Sequence, residues 1–438
     1  MKKRTISAFL CLCMLFSMSW MMTSCDTQNV EKDILDEESK IVFVPNEETG
    51  NEPTKNPKPI VRYEKNDNFE EALMYFSLNL FKESIYQRED DSSVMISPLS
   101  VMAALAMTAN GAKGETLEEM ERVLGGLDID ELNRALSNYI GSLESTEKSK
   151  LNLANSVWAR DSVALRVNDS FEEEMLEFYN AALNREAFDS STVEKINGWV
   201  SEKTDGMIES IINDIPKEAM LYLINAVCFD AKWAEPYQDY QVIDGEFVDI
   251  AGNKKQVKML SSGEYRYIEC GEGVGFIKPY EAGYSFVALL PDEGVSIYDY
   301  ICSLEKEQVI SSLENVSYEK VYAHLPKFSY EYEMDMKNIL ASLGMNSVFD
   351  FEKADLSDMA VCGDGNLAVN RVLHKTYIEV TQSGTRAAAV TSVDVLCGSA
   401  PLQEQPKEIV LDRPFVYMII DNYANLPIFI GAVTEISE

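Results

Sequence analysis

Gly384-Thr-Arg-Ala-Ala-Ala-Val-Thr-Ser-Val-Asp-Val-Leu-Cys-Gly-Ser-Ala-Pro401 lies between two apolar, strand-like runs, one ending near Val380 and the other resuming at Phe415. At a period of two, one face carries Thr385, Ala387, Ala389, Thr391, Val393 and Val395, all small or β-branched, and the other carries Arg386, Ser392 and Asp394. This is a strand with a face that can be buried. Taken alone, the stretch fits an ordinary hairpin strand and an alanine-favoured helical turn equally well, so the wider chain decides. No proline interrupts it from Thr385 to Ala400, which leaves every N–H free to join a ladder.

Working outward, the chain has the pattern of a globular α+β protein. Phe69, Leu73, Phe76 and Leu80 recur at helical spacing and open a region that keeps regular periodicity to the C-terminus. Ser97-Pro98 reads as an N-cap with proline in the first turn of a helix running from Leu99 to Ala109. Thr116-Leu-Glu-Glu119 reads as a capping box, with Gly125-Gly126 as the stop. Phe171–Tyr179 and Val193–Lys203 are further helix candidates. Leu221–Phe229, apolar on both faces, predicts a buried central strand, and Tyr284–Leu290, Phe415–Ile420 and Ile428–Val433 predict others. Helices first and strands later point to the α+β class. With 46% hydrophobic residues in 438, one domain from Asn66 to Glu438 has ample core.

The N-terminus reads differently. Lys2-Lys3-Arg4, an apolar stretch from Ala8 to Met22 and Met22-Thr23-Ser24-Cys25 have the form of a bacterial lipoprotein signal, with residues 1–24 removed and Cys25 lipidated. The apolar run is short for a membrane span. Residues 25–65, acidic and punctuated by Pro45, Pro53, Pro57 and Pro59, predict a flexible tether. The expected location is therefore the bacterial cell envelope, with the protein lipid-anchored and facing either the periplasm or the exterior. The formal charge of −35 becomes −38 once Lys2, Lys3 and Arg4 are lost, a balance that repels nucleic acid and anionic lipid surfaces.

Catalytic and metal chemistry have little to draw on. His324 and His374 are the only histidines, both in strand-like contexts without a nucleophile elbow or a glycine-rich oxyanion turn nearby. They predict satisfied structural histidines. A hydrolase using His374 as base is the most distant reading. Gly271-Glu-Gly273-Val-Gly275 lacks dinucleotide-binding spacing. Of eight cysteines, Cys11, Cys13 and Cys25 belong to the signal and lipid site; Cys228, Cys270, Cys302, Cys362 and Cys397 show no tight spacing, and most are expected to be buried thiols. No catalytic residue, cofactor or metal site is expected.

Ile96-Ser-Pro-Leu-Ser100, Ala109-Asn-Gly-Ala-Lys-Gly-Glu115, Asn225-Ala-Val-Cys-Phe-Asp-Ala-Lys-Trp233 and Asp412-Arg-Pro-Phe415 resemble the recurring motifs of the serpin family, and the match runs from about Phe69 to the C-terminus. The resemblance implies helices around a large central mixed β-sheet, smaller sheets and an exposed reactive loop. It also implies a suicide mechanism: a protease cuts the loop and forms an acyl-enzyme, the loop enters the central sheet as a new strand, and the attached protease is dragged across and distorted. The function expected is that of a protease inhibitor and not an enzyme, and the expected state is a monomer.

By the same resemblance, Gly384, Thr385, Ala387, Ala388 and Ala389 form the hinge where insertion starts. Ser97, Ser100, Asn225 and His374 form a polar cluster beneath the central sheet. Trp233, Lys327 and Gln382 lie where the loop enters. The family usually has acids at the positions of Gln382 and Arg386, so a Lys327 ion pair is expected to be replaced by a neutral hydrogen bond, and a non-inhibitory binding or chaperone-like serpin is the alternative. Counting from the hinge puts the scissile bond at Gly398-Ser399, within a window from Val395 through Leu396, Cys397 and Ala400 to Gln403. No Lys or Arg lies between Arg386 and Lys407, which disfavours trypsin-like targets. Small and apolar residues there suit elastase-like or subtilisin-like serine proteases, with papain-like cysteine proteases a further class. Cys397, if exposed, would make inhibition sensitive to oxidation.

Overall fold

The Phe69–Leu80 spacing closes into helix α1 (Asp67–Tyr86), whose apolar stripe is fully buried, and Asn66 caps it by accepting the Phe69 N–H. Helix α2 (Pro98–Ala109) is buried all round except at Ala104, as expected of a helix sandwiched between layers. The computed structural model describes residues 63–436 apart from 89, 144, 147, 163, 364 and 386–406, all within one compact unit, Ile60–Glu438.

Two six-stranded sheets and a four-stranded sheet carry the fold. The central sheet runs Phe328–Asp335, Leu373–Val380, Gly384–Thr385, Leu221–Lys232, Ser149–Arg160 and Ala182–Glu186; the last pair is parallel and the others antiparallel. Behind it lies an antiparallel sheet whose strands Tyr284–Pro291, Phe415–Asp421 and Pro427–Val433 are buried along their whole length. Helix α2 packs against both Leu221–Lys232 and Pro427–Val433, filling the space between the two sheets. The four-stranded sheet, ordered Lys407–Val410, Val321–Pro326, Lys254–Glu264 and Val242–Val248, takes up the chain on the far side of 386–406.

Several expectations are corrected. Ser97 sits at the N-cap position of α2, but its hydroxyl donates to the Ile428 carbonyl at 2.9 Å, because holding the helix onto the rear sheet uses the group a cap would need. Helix α3 (Gly114–Val123) starts before Thr116, so no capping box forms. The Thr116 hydroxyl accepts the Asp355 N–H, and Glu119 accepts the N–H groups of Asn346 and Ser347. Leu221, Tyr222 and Leu223 are only half-buried, because no described strand pairs with theirs on one side there. Strand Ser149–Arg160 lies among the early helices and went unread. Cys228 and Cys270 are buried, but Cys302 is exposed and Cys362 intermediate, since Cys302 sits on the helix Ile297–Ser303 next to the inward-facing Ile301.

Candidate functional site

The two-residue strand Gly384–Thr385 is the centre of the site. It pairs on one side with Val380 and on the other with Ala231 and Lys232. Beyond it, no ladder among the described strands joins Leu373–Val380 to Leu221–Lys232. The central sheet is therefore split along most of its length. A cavity of about 470 Å³ underlies the split, bordered by Ser100, Ala104 and Thr108 of α2, by Leu223 and Asn225 on one strand and by Leu373 on the other. Backbone groups along such facing edges are a template for one more strand.

Packing holds the start of this strand in place. Thr385 is 2% exposed, and its hydroxyl shares a 2.6 Å hydrogen bond with that of Tyr280. Tyr280 is stacked on Trp233 with ring centroids 4.4 Å apart. At Gly384 an added Cβ would lie 2.1 Å from the Ala231 carbonyl oxygen, so only glycine lets the two backbones come this close. Trp233 ties the turn down twice: its backbone N–H donates to the Ser383 carbonyl at 3.1 Å and its indole N–H to the Thr381 carbonyl at 2.9 Å.

Lys327 and Gln382 also meet here. The Lys327 ammonium donates to Gln382 Oε1 at 2.9 Å, and Gln382 passes a hydrogen bond on to Asp239 at 3.2 Å. The contact is a hydrogen bond to a side-chain amide, and no ion pair among the described residues includes Lys327. Sequence reasoning missed what lies beneath: Lys278 and Glu264 form a buried ion pair at 2.8 Å, with side chains 3% and 10% exposed. The ammonium of Lys278 sits 4.4 Å from the centroid of the Tyr237 ring. A lysine within the apolar run Val274-Gly-Phe-Ile-Lys278 was the signal, since such a charge demands a buried partner.

The polar cluster assembles below the split. The Ser97 N–H donates to His374 Nε2 at 3.1 Å, linking α2 to one bank of the split. The Ser100 hydroxyl bonds to Asn225 Oδ1, linking α2 to the other bank, and Asn225 donates to Asn155 Oδ1 at 2.6 Å. Ala387, Ala388, Ala389, Arg386, the whole window from Val395 to Gln403 with Gly398 and Ser399, and Cys25 lie outside the described residues.

Burial pushes the His374 imidazole down to about 4, which keeps it neutral and able to accept from Ser97. An unfolded histidine titrates near 6.5, so the contribution is complete above that pH. As pH falls the unfolded chain takes up the proton first, and stability drains away between pH 6.5 and about 4, then levels off. The loss amounts to on the order of 3 kcal/mol. Denaturant titrations across this window should show that slope in the parent and a flatter profile in His374→Gln; identical profiles would refute the assignment.

Among the described residues the central sheet is thus split, with a two-residue strand bridging the banks at one end. The chain belongs to the serpin family: residues 71–436 match the family described as "Serpin (serine protease inhibitor)", a family of protease inhibitors and not of enzymes, with some non-inhibitory members. It is 31% identical to an uncharacterized serpin-like protein of Thermococcus kodakarensis, over 82% of this chain and 84% of that one. It is 29% identical to the leukocyte elastase inhibitor of Xenopus laevis, over 83% and 98%. Among solved structures, the thermophilic serpin tengpin in its native state superposes with a TM-score of 0.80 at 44% identity, covering 86% of this chain and 96% of tengpin.

Proposed function

We propose that this protein inhibits an elastase-like or subtilisin-like serine protease by inserting its cleaved loop into the split of the central sheet. The observation that carries the reading is the seated pair Gly384–Thr385, which fixes a register for everything that follows it. Gly384 lies opposite Lys232 and Thr385 opposite Ala231, so each step along the loop is one step back along that strand. Continued in this way, Thr391 comes level with Asn225, and Val395 with Leu221, the first residue of the strand. On the other bank, Val380 opposite Thr385 brings the same Thr391 level with His374. The small face read from the sequence would thus run the full length of the split, with a threonine hydroxyl arriving between Asn225 and His374.

Ten steps from Thr385 to Val395 span about 33 Å. A protease held by an ester beyond Val395 would be carried that distance, and each oxyanion-hole donor displaced in it slows deacylation by about 10²–10³-fold. Strand addition of this kind needs no new binding site, since main-chain groups on both banks supply the hydrogen bonds. The leukocyte elastase inhibitor among the relatives and the apolar window from Val395 to Gln403 support the protease class. Papain-like cysteine proteases form an ester-like thioester and remain a second target class. The lipobox-like Cys25 supports an envelope-anchored location, which Cys25→Ala should abolish on fractionation.

Incubation with pancreatic elastase, subtilisin and papain should yield, with at least one, a covalent complex that survives boiling in detergent. A small C-terminal fragment should be released whose first residue lies within the window, Ser399 by the hinge count. Cleaved inhibitor and fully active protease in every case would defeat the proposal.

A further inference from the structure

Five of the large apolar side chains left exposed gather on one part of the surface: Tyr240 at 81%, Ile243 at 41%, Tyr265 at 64%, Tyr318 at 84% and Tyr322 at 44%. All five lie on the four-stranded sheet or on turns joined to it. Tyr322 pairs with Gly263 on one side and with Glu408 on the other, and Lys320 lies over its ring at 4.8 Å. The bridge between Tyr267 and Ser317 sets Tyr318 level with Arg266. The turn bearing Tyr240 is fastened to the sheet by Gln241, which donates to the Ser261 carbonyl at 3.0 Å. Four clustered, exposed tyrosines are a poor surface for solvent and a good one for a partner, since tyrosine brings large contact area at low entropic cost.

Both ends of the reactive loop are anchored beside this face. Gln382, just before the hinge, bonds to Asp239, the neighbour of Tyr240. Lys407, where the described chain resumes, pairs with Val321, the neighbour of Tyr322. The bond Gly398-Ser399 lies eight residues before Lys407, a reach of at most about 28 Å. A protease domain is about 40 Å across, so an enzyme seated on the loop overhangs the sheet. Arg266 adds a charge argument. Its side chain is half-buried, its Nε has no hydrogen-bond partner, and no ion pair among the described residues includes it. In a chain with 73 acidic and 38 basic residues, such a guanidinium is an open position for an acid brought by a partner.

We infer that the tyrosine face around Tyr265, Tyr318 and Tyr322, with Arg266 level with Tyr318, is a secondary docking surface for the same protease that cuts the loop. The inference rests on the loop-inhibition reading above. Because trapping is irreversible, a weaker encounter appears as a lower overall rate of inhibition and leaves the later partition between insertion and hydrolysis untouched.

The test compares the parent with the triple variant Tyr265→Ser, Tyr318→Ser, Tyr322→Ser, and separately with Arg266→Ala, against whichever of elastase or subtilisin the parent traps. The triple variant should inhibit roughly tenfold more slowly or worse, with unchanged stoichiometry and an unchanged thermal midpoint. Arg266→Ala should inhibit more slowly at low salt, with the difference shrinking as salt rises. An unchanged rate in the triple variant overturns the proposal. A parent that sediments as a dimer while the variant is monomeric also overturns it, because a second copy then occupies the face. Failure of the parent to trap any protease overturns the loop reading itself and this inference with it, and is told apart because it is seen before any variant is made.

Discussion

Thr385→Arg should turn the inhibitor into an ordinary substrate. Thr385 is packed between Ala231 and Val380 with its hydroxyl on Tyr280, and an arginine there would bury its charge at a cost of several kcal/mol or force the strand out. Every 1.4 kcal/mol added to the barrier for insertion slows it tenfold, so insertion loses to deacylation by on the order of 10²-fold or more. The cut site lies at least ten residues further along and should not change. The measurement is the stoichiometry of inhibition together with the fragment sequence. Full inhibition by the variant would show that the hinge lies elsewhere.

The second large effect is thermal. Cutting the loop with a protease that is then removed should raise the melting midpoint by on the order of 20 °C. Burial contributes most: covering an apolar side chain yields about 1.5–3 kcal/mol, so the inward alanines and valines together with the lining residues they cover yield on the order of 10 kcal/mol. For a domain of this size 1 kcal/mol is worth about 2 °C. Ladder bonds on both banks add about 1 kcal/mol each and are largely offset by ordering the loop. A cut protein that melts where the intact one does would mean that the loop stays outside, as in a binding-type serpin.

What could be read beforehand divides along physical lines. The helix bearing Phe69, Leu73, Phe76 and Leu80 and the strands at Tyr284 and Phe415 were legible, because one-sided or continuous burial imprints a period on the chain. Thr385 was legible as an inward residue for the same reason, through its alternation with Arg386. The Thr116 capping box misled because a hydroxyl and a carboxylate three residues apart serve equally well for contacts between distant segments, and here Asp355, Asn346 and Ser347 took them. The half-exposure of Leu221–Leu223 was hidden from any local reading. It depends on there being no neighbouring strand among the described residues, and such a gap leaves no mark on the residues that would have packed against it. The Lys278–Glu264 pair was half legible: Lys278 announced a need, but nothing within a few positions named the partner.

The pairing of Gly384 and Thr385 with both banks also bears on timing. Bringing distant backbone segments into register is the slow, entropically costly part of adding a strand, and here that search is over before any protease arrives. A fastener whose slider is already seated needs only to be released, so on the proposed mechanism closure should advance rung by rung once the loop is cut. The same seating leaves the intact molecule poised on a slope, and prolonged warming without any protease should let a fraction zip shut and lose potency.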